Sequence, residues 1–131
     1  MASINLDSII LYVQNVDKLK AFYMQCFEME LLEEYPQEWV LLKAGTAKLG
    51  LHKMGGPYQP ANTISAGLES NSKIVFEIEQ DIHELRHRLL SMNIAMRSVK
   101  TFDNYHYWLC DGADPEGNIF QLKQRKAMAA E

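Results

Sequence analysis

The sequence predicts an α+β fold built from two βαβββ modules, and three observations support this. The pattern of one strand, one helix and three short strands occurs twice along the chain. The opening strands, Ser8–Val13 and Lys73–Ile78, match in apolar pattern and begin 65 positions apart. The same offset places Phe27–Met29 over Met92–Ile94, at the end of each predicted helix. Because each module has one helix to cover a four-stranded sheet, we expect the two modules to pack into one domain, residues 1–131.

The first module is predicted over about residues 4–54. Its first strand, Ile4–Val13, is rich in Ile, Leu and Val. A helix is predicted from Asp17, as its N-cap, to Phe27, because apolar residues recur there at spacings of three, four and seven. The three remaining strands are Met29–Tyr35, Glu38–Ala44 and Ala47–Met54.

The second module is predicted over about residues 72–124, after a linker at about residues 55–71 that is rich in Gly, Pro, Asn and Ser. Lys73–Ile78 is its first strand, and Asp81 is placed to cap the following helix. The apolar stripe predicted to bury that helix is Ile82, Leu85, Leu89 and Met92. The last three strands are Ile94–Val99, Tyr105–Cys110 and Asn118–Lys123.

A tight turn precedes the last strand, in the stretch Asp114–Leu122. Asp-Pro and Gly-Asn are turn signals, and Gly117 is expected to take a positive φ. This stretch resembles the DP-(D/E)-GN-hydrophobic sequence that closes vicinal oxygen chelate domains, the superfamily of glyoxalase I, bleomycin-resistance proteins and extradiol dioxygenases. With the repeat and the helical Ala21–Tyr23, the resemblance extends from about Ile4 to Lys123.

The resemblance implies that the paired modules form a curved, cup-shaped mixed sheet around a small ligand, commonly in a homodimer. Metalloenzymes of this superfamily hold a divalent ion with one residue from each of four strands. The matching positions here are Ser8, Gly50 (or His52 two residues on), Lys73 and Gln121. Serine and glutamine are weak neutral ligands, glycine offers no side chain, and the lysine ammonium repels a cation. We therefore predict no metal and no cofactor.

Strand alternation extends these positions to a set of side chains expected to line the cup. The predicted ligand-binding residues are Ser8, Tyr12, His52, Lys73, Glu77 and Gln121. Lys73 favours an anionic or carbonyl-bearing ligand, although it could equally pair with Glu77 or reach solvent. His52 is either an acid or base near neutral pH or a rim residue without such a role.

Four aromatic residues and one short motif have two interpretations each. Trp39, Tyr105, Tyr107 and Trp108 either stack on a flat ligand or form core and dimer contacts. His83–His87 spells HExxH, the zinc-protease helix signature. Its histidines lie off the apolar stripe of the helix, however, so we interpret the motif as a chance match.

Composition excludes several other classes of function. The formal net charge is −4 without a Lys/Arg block, which argues against nucleic acid as a partner. No apolar run approaches the ~20 residues that span a bilayer, and the first residues lack a secretory-signal pattern. Cys26 and Cys110 lie in apolar patterns and are interpreted as reduced, buried thiols. A cytoplasmic location is therefore expected.

Three functional hypotheses follow. The favoured one is a metal-free small-molecule binder of the glyoxalase and bleomycin-resistance type. The alternative is a metal-dependent lyase or dioxygenase that uses a shifted ligand set around His52 and Glu77. The third is an accessory dimer without a ligand.

Overall fold

A computed structural model describes residues 4–55 and 71–127, which form two compact units. Each unit contains one helix and one four-stranded sheet in the order βαβββ, which confirms the predicted α+β class. The first unit contains β1 (Ser8–Val13), α1 (Val16–Phe27), β2 (Glu30–Tyr35), β3 (Trp39–Ala44) and β4 (Ala47–Lys53). The second contains β5 (Ile74–Ile78), α2 (Ile82–Ser91), β6 (Ala95–Met96), β7 (Tyr107–Ala113) and β8 (Ile119–Arg125). Most of the predicted linker lies outside the described residues.

The two sheets have the same topology. In the first the strand order is β1-β4-β3-β2, and in the second it is β5-β8-β7-β6. The first strand of each unit runs parallel to the last, whereas the other neighbours are antiparallel. Both sheets are therefore mixed and open, and the sequence repeat corresponds to a repeat of connectivity.

Helix α1 begins two residues earlier than its predicted cap implies. Asn15 is the N-cap, because its Oδ1 accepts a hydrogen bond from the backbone N–H of Lys18 at 3.0 Å. Asp17 instead lies in the first turn, where its carboxylate interacts favourably with the positive end of the helix dipole. The prediction of Asp17 as cap was therefore wrong, since both residues are good caps and only the backbone geometry distinguishes them.

Helix α2 begins as predicted but ends earlier. Asp81 Oδ1 accepts hydrogen bonds from the N–H groups of His83 at 2.7 Å and Glu84 at 3.3 Å. Met92 was predicted to be buried, but it follows the last helical turn and is 40% exposed. The buried stripe of α2 therefore consists of Ile82, Leu85 and Leu89. Among the described residues, neither helix has the length and apolar character needed to cross a membrane.

The strands after α2 differ from prediction in opposite directions. Of the predicted strand Ile94–Val99, only Ala95–Met96 forms a strand, β6. An isolated bridge joins Lys100, just beyond the predicted range, to Leu109. Strand β7 begins later than predicted but continues past Cys110 to Ala113. Asp and Gly are depleted in strands, which explains why the sequence indicated an early end. Gly112 suits the strand because a side chain there would collide with Met96 and Phe120.

Each sheet has one face against its helix and one that points away from it, which we call the far face. The helix-facing side forms the core: Val40, Leu42, Leu49 and Leu51 in the first unit, and Cys110, Phe120 and Leu122 in the second. By alternation, the far face of the first unit carries Ser8, Ile10, Tyr12, Trp39, Leu41, Gly50 and His52. That of the second carries Val75, Glu77, Tyr107, Leu109, Asp111, Gln121 and Lys123. All six predicted site residues belong to these faces or to the residues just before them.

Candidate functional site

The turn that closes the second unit fixes the start of β8. The buried carboxylate of Asp114 accepts hydrogen bonds through Oδ1 from the N–H groups of Glu116 at 2.9 Å and Asn118 at 3.0 Å. The Asn118 side-chain amide donates back to the same carboxylate. Gly117 has a φ of 86°, as predicted. This turn sets which residues of β8 reach the far face, Gln121 among them.

Three polar side chains of the second unit form one connected group, which we call the Asp111 cluster: Lys73, Asp111 and Gln121. Lys73 Nζ lies 2.7 Å from Asp111 Oδ2. Gln121 Nε2 donates to the other carboxylate oxygen at 2.8 Å. Asp111 is only 6% exposed, whereas the Lys73 side chain is 39% exposed. The structure thus brings Lys73 and Gln121 together, and the partner of Lys73 is Asp111 rather than Glu77 or solvent alone.

The Asp111 carboxylate is ionised at neutral pH. Burial raises its pKa, but hydrogen bonds from Lys73 and Gln121 and the charges of Lys73 and Lys100 outweigh that effect. The net result is a pKa below the ordinary value of 3.8. The ammonium and the carboxylate therefore form an ion pair, and the Asp111 cluster has no net charge.

Sequence reasoning missed Asp111, because the strand was predicted to end at Cys110. One signal could have found it. If β7 is extended along the same alternation as Leu109, the next far-face residue is Asp111, and it lies directly opposite Gln121 on β8. A charged residue at that point of a buried strand needs a partner, and Gln121 and Lys73 are the polar residues placed nearest to it.

In the first unit, three rings form a row across the far face. Tyr12 pairs with His52, and His52 pairs with Trp39, across three neighbouring strands. The ring centroids of Tyr12 and His52 are 5.2 Å apart, and those of Trp39 and His52 are 6.0 Å apart. His52 Nδ1 lies 2.7 Å from the carbonyl oxygen of Lys53. Because a carbonyl oxygen can only accept, Nδ1 is the donor in this hydrogen bond.

Gly50, which matches a metal-ligand position of the superfamily, lies on β4 under the indole of Trp39. A Cβ at Gly50 would come within 2.5 Å of Trp39 Cη2 and 3.1 Å of Ile10 Cγ1. The indole is oriented by a hydrogen bond from its Nε1 to Glu33 Oε1 at 3.1 Å. Tryptophan therefore occupies the space that a metal-ligating side chain at position 50 would need.

The registers of the two sheets support the matching of Ser8 with Lys73 and of Gly50 with Gln121. Gly50 pairs with Ile10, and Gln121 pairs with Val75. Ser8 and Lys73 each stand two residues before that partner. Ser8 lies opposite Lys48, whose ammonium is 2.9 Å from Asp7.

Glu77, the remaining predicted site residue, lies opposite Lys123 in the second sheet. Lys123 Nζ lies 4.1 Å from the centroid of the Tyr107 ring. Trp108 is on the other side of β7, where its ring meets His83 of α2 at 6.1 Å and Lys126 Nζ at 5.0 Å. Tyr107 therefore belongs to the far face, and Trp108 belongs to the helix side.

The residues at the superfamily positions do not fit a divalent metal. Two of the four positions, Lys73 and Gln121, are engaged by Asp111, and Trp39 fills the space above Gly50. Across residues 4–55 and 71–127, no three His, Cys, Asp or Glu side chains come together in a group that could hold a metal. His83 and His87 of the HExxH motif are exposed on α2, as their spacing predicted.

Comparison with known proteins gives a family and a fold. The sequence profile of the Glyoxalase/Bleomycin resistance protein/Dioxygenase superfamily matches residues 5–122. No curated protein sequence matches the chain. Many solved structures share the fold, and three of them are representative.

The first is lactoylglutathione lyase from Agrobacterium tumefaciens: 20% identity, TM-score 0.71, with 95% of this chain and 96% of that chain covered. The second is the fosfomycin resistance protein FosX from Listeria monocytogenes: 13% identity, TM-score 0.71, with 96% and 95% covered. The third is TnmS3, an antibiotic binding protein from Streptomyces sp. CB03234: 20% identity, TM-score 0.72, with 96% and 99% covered. At these identities the likeness is one of fold. The profile match spans most of the sequence, and the chain therefore belongs to the Glyoxalase/Bleomycin resistance protein/Dioxygenase superfamily.

Proposed function

We propose that this protein binds a small molecule without a metal ion, as a binding protein of the glyoxalase and bleomycin-resistance type. One observation supports this above the others: the ammonium of Lys73 lies 2.7 Å from the Asp111 carboxylate. An ammonium group thus stands at one of the superfamily's metal positions. It has three N–H donors and no lone pair, so it cannot act as a ligand to a metal ion.

The polar chemistry of the Asp111 cluster suits an oxygen-bearing ligand. An ammonium group has three N–H donors, and one of the Lys73 donors is directed at Asp111. The remaining donors are suited to a carbonyl or anionic oxygen of a ligand. Because Asp111 neutralises the charge of the cluster, a carbonyl or hydroxyl group suits Lys73 better than a strongly charged anion does. Ser8, Tyr12, His52 and Glu77 are proposed as further lining residues. TnmS3, a protein of the same fold, is described as antibiotic binding.

Metal analysis and a ligand screen test this function together. Protein purified without chelator is expected to contain no stoichiometric Fe, Mn, Ni or Zn. Thermal shift against a metabolite and antibiotic library is expected to yield ligands, because binding to the folded state raises the melting temperature by mass action. Stoichiometric metal would overturn the proposal, and so would a library without any hit.

Lys73 variants then connect a hit to the site. Lys73→Gln and Lys73→Glu are expected to weaken binding of the hit compound, with the glutamate variant weaker still. Lys20→Glu is the matched control, because Lys20 forms an ion pair of equal length, 2.7 Å, with Glu34 in the first unit. Equal effects of Lys73→Glu and Lys20→Glu on binding would argue against a role for the Asp111 cluster.

The second candidate is a metal-dependent lyase or dioxygenase with a shifted ligand set around His52 and Glu77. The observation that favours it is the hydrogen bond of His52 Nδ1 to the Lys53 carbonyl, 2.7 Å long. Metal-ligating histidines are commonly oriented in this way, with the other nitrogen left to coordinate or to accept a proton. Stoichiometric metal that disappears in a His52→Ala variant would favour this function over simple binding.

We also propose that the protein is a cytoplasmic homodimer. The dimer is expected from the superfamily resemblance. The location is supported by Cys26 and Cys110, which are buried and form no disulfide within the described residues. Light scattering at micromolar concentration tests the dimer, and a monomer mass would exclude it. A stable dimer without any ligand in the screen would instead favour an accessory role.

A further inference from the structure

Two cationic side chains converge on the ring of Tyr107, on the far face of the second unit. Lys123 Nζ lies 4.1 Å from the ring centroid, and Arg125 Cζ lies 5.5 Å from it. Arg125 Nη1 also donates a hydrogen bond to Tyr107 Oη at 3.2 Å. Both cations come from β8, two residues apart, so the strand presents them on the same face. Tyr107 thus fixes the positions of two positive charges.

Both charged groups lie within about 6 Å of one ring centroid, so an anion placed beside that ring would be attracted by both. Within residues 71–127, neither Lys123 nor Arg125 forms an ion pair with a carboxylate. Glu77 lies opposite Lys123 in the sheet, but the two side chains are not within ion-pair distance. Lys73 differs from both, because Asp111 already neutralises it. Lys123 and Arg125 are therefore the cations of this face that a ligand anion would stabilise most.

An apolar wall continues from these cations. The centroids of Tyr105 and Tyr107 are 5.7 Å apart, and those of Phe102 and Tyr105 are 6.1 Å apart. Phe102 is 58% exposed and Tyr105 is 37% exposed. A turn brings them together, with Tyr105 N–H donating to the Phe102 carbonyl at 3.1 Å and Asn104 at a φ of 64°. Exposed aromatic rings next to a polar group are typical of ligand and interface contacts.

We infer that Lys123, Arg125 and the rings of Tyr105 and Phe102 form a subsite for an aromatic anion, such as an aryl carboxylate or sulfonate. The anionic group lies at Lys123 and Arg125, where guanidinium and ammonium donors suit its oxygens. The aromatic body packs on Tyr105 and Phe102. This inference deepens the proposed function, since it assigns a ligand class and an anchoring point different from Lys73.

Isothermal titration with naphthalene-1-sulfonate tests the subsite, with neutral naphthalene-1-methanol as the uncharged comparison. The sulfonate is expected to bind more tightly than the alcohol at low ionic strength. That advantage is expected to shrink at about 0.5 M salt, because exposed charges are screened. Equal binding of both probes, or no sulfonate binding at millimolar concentration, would overturn the inference.

Variants locate the binding on these residues. Lys123→Met and Arg125→Gln are each expected to weaken sulfonate binding about tenfold, the loss typical of one charge-assisted hydrogen bond. Lys123→Arg retains the positive charge, so this variant is expected to bind the sulfonate nearly as tightly as the parent does. It therefore distinguishes loss of the charge from a disturbance of the fold. Glu77→Gln removes a negative charge from the same face and is expected to strengthen binding.

Lys126→Met is the matched control, because Lys126 packs on the Trp108 ring on the opposite side of the strand. It is expected to leave sulfonate binding unchanged, and an effect as large as that of Lys123→Met would overturn the inference. The outcome is separable from that of the proposed function. Metal content and the Lys73 variants decide whether the protein is a metal-free binder, whereas the two probes and the β8 variants decide where an anion binds.

Discussion

Lys73 and Asp111 form an ion pair of 2.7 Å although their strands are not neighbours in the sheet. Lys73 immediately precedes β5, Asp111 belongs to β7, and β8 runs between the two strands. Gln121 of the intervening strand donates to the same carboxylate. The Asp111 cluster therefore connects three strands through side chains as well as through the backbone ladder.

Removing Lys73 is expected to destabilise the second unit. Within residues 71–127, Lys73→Met leaves the buried Asp111 carboxylate with the Gln121 side chain as its hydrogen-bond donor. The expected loss is about 1–3 kcal/mol of unfolding free energy, with partial solvent access of Lys73 favouring the lower half of that range. Urea denaturation measures it.

The double variant Lys73→Met/Asp111→Asn is the control for that loss. It removes the buried charge together with its partner, so it is expected to be more stable than Lys73→Met alone. The comparison is a double-mutant cycle of the parent, Lys73→Met, Asp111→Asn and the double variant. If the loss of unfolding free energy in the double variant equals the sum of the two single losses, the ion pair does not couple the two residues.

Stability is expected to fall in acid through Asp111. Folding lowers the pKa of this carboxyl, so the unfolded chain binds a proton at higher pH than the folded chain does. The stabilisation from Asp111 is complete above the ordinary value of 3.8 and is lost as pH falls through the lower folded-state pKa. Asp111→Asn is expected to flatten the dependence of unfolding free energy on pH between about 5 and 3.

Asp7→Asn is the surface comparison for this acid dependence. The hydrogen bond and charge of Lys48 lower the pKa of Asp7 as well, but the group is fully exposed. Solvent screens such a pair, so its removal is expected to change the acid slope less than removal of Asp111 does. A larger effect at Asp7 would reverse this ranking.

Gly117→Ala is expected to destabilise the closing turn by about 1 kcal/mol, because its φ of 86° disfavours a residue with a Cβ. Gly117→Asn is the matched variant, since asparagine tolerates positive φ better than alanine does. Thermal or urea unfolding is expected to rank the parent first, then asparagine, then alanine. Equal stability of alanine and parent would show that the turn does not depend on this φ.

Gly50→Ala is expected to displace the indole of Trp39, because the added Cβ would lie 2.5 Å from its Cη2 atom. A shift of the Trp39 indole N–H resonance in a two-dimensional NMR spectrum measures the displacement. Trp39→Phe/Gly50→Ala is the control, in which the smaller ring leaves room for the methyl group. Stability that does not recover in the double variant would refute the steric explanation.

The sequence predicted the order and type of the elements because each has its own period and the order repeats. It misplaced details that depend on atoms outside the element. Asn15 and Asp17 are both suitable caps, and only the backbone selects between them. Strand β7 continues through Asp111 and Gly112 because Met96 and Phe120 fill the space next to the glycine. Strand propensities of the residues themselves do not predict this continuation, because it depends on side chains from other elements.

The sequence indicated which residues lie at the site, but it did not indicate which side chains contact each other. The superfamily resemblance supplied the positions Lys73 and Gln121, and alternation added Tyr12 and His52 to the expected lining. In the structure Lys73 and Gln121 contact the same carboxylate, and the rings of Tyr12 and His52 lie next to each other. Asp111 was missed because it lay beyond the predicted strand end. Such a contact depends on side-chain reach across a neighbouring strand, which periodicity along one strand cannot reveal.

The position of Trp39 above Gly50 limits how a metal site could be rebuilt in this chain. Installing histidines at Ser8 and Lys73 and glutamates at Gly50 and Gln121 supplies four donors, yet the new side chain at position 50 meets the indole first. Trp39 must therefore be replaced by a smaller residue before a metal-ligating side chain can fit at position 50. A metal-ligating side chain at position 50 therefore requires a pair of substitutions, one at Trp39 and one at Gly50, rather than a single one.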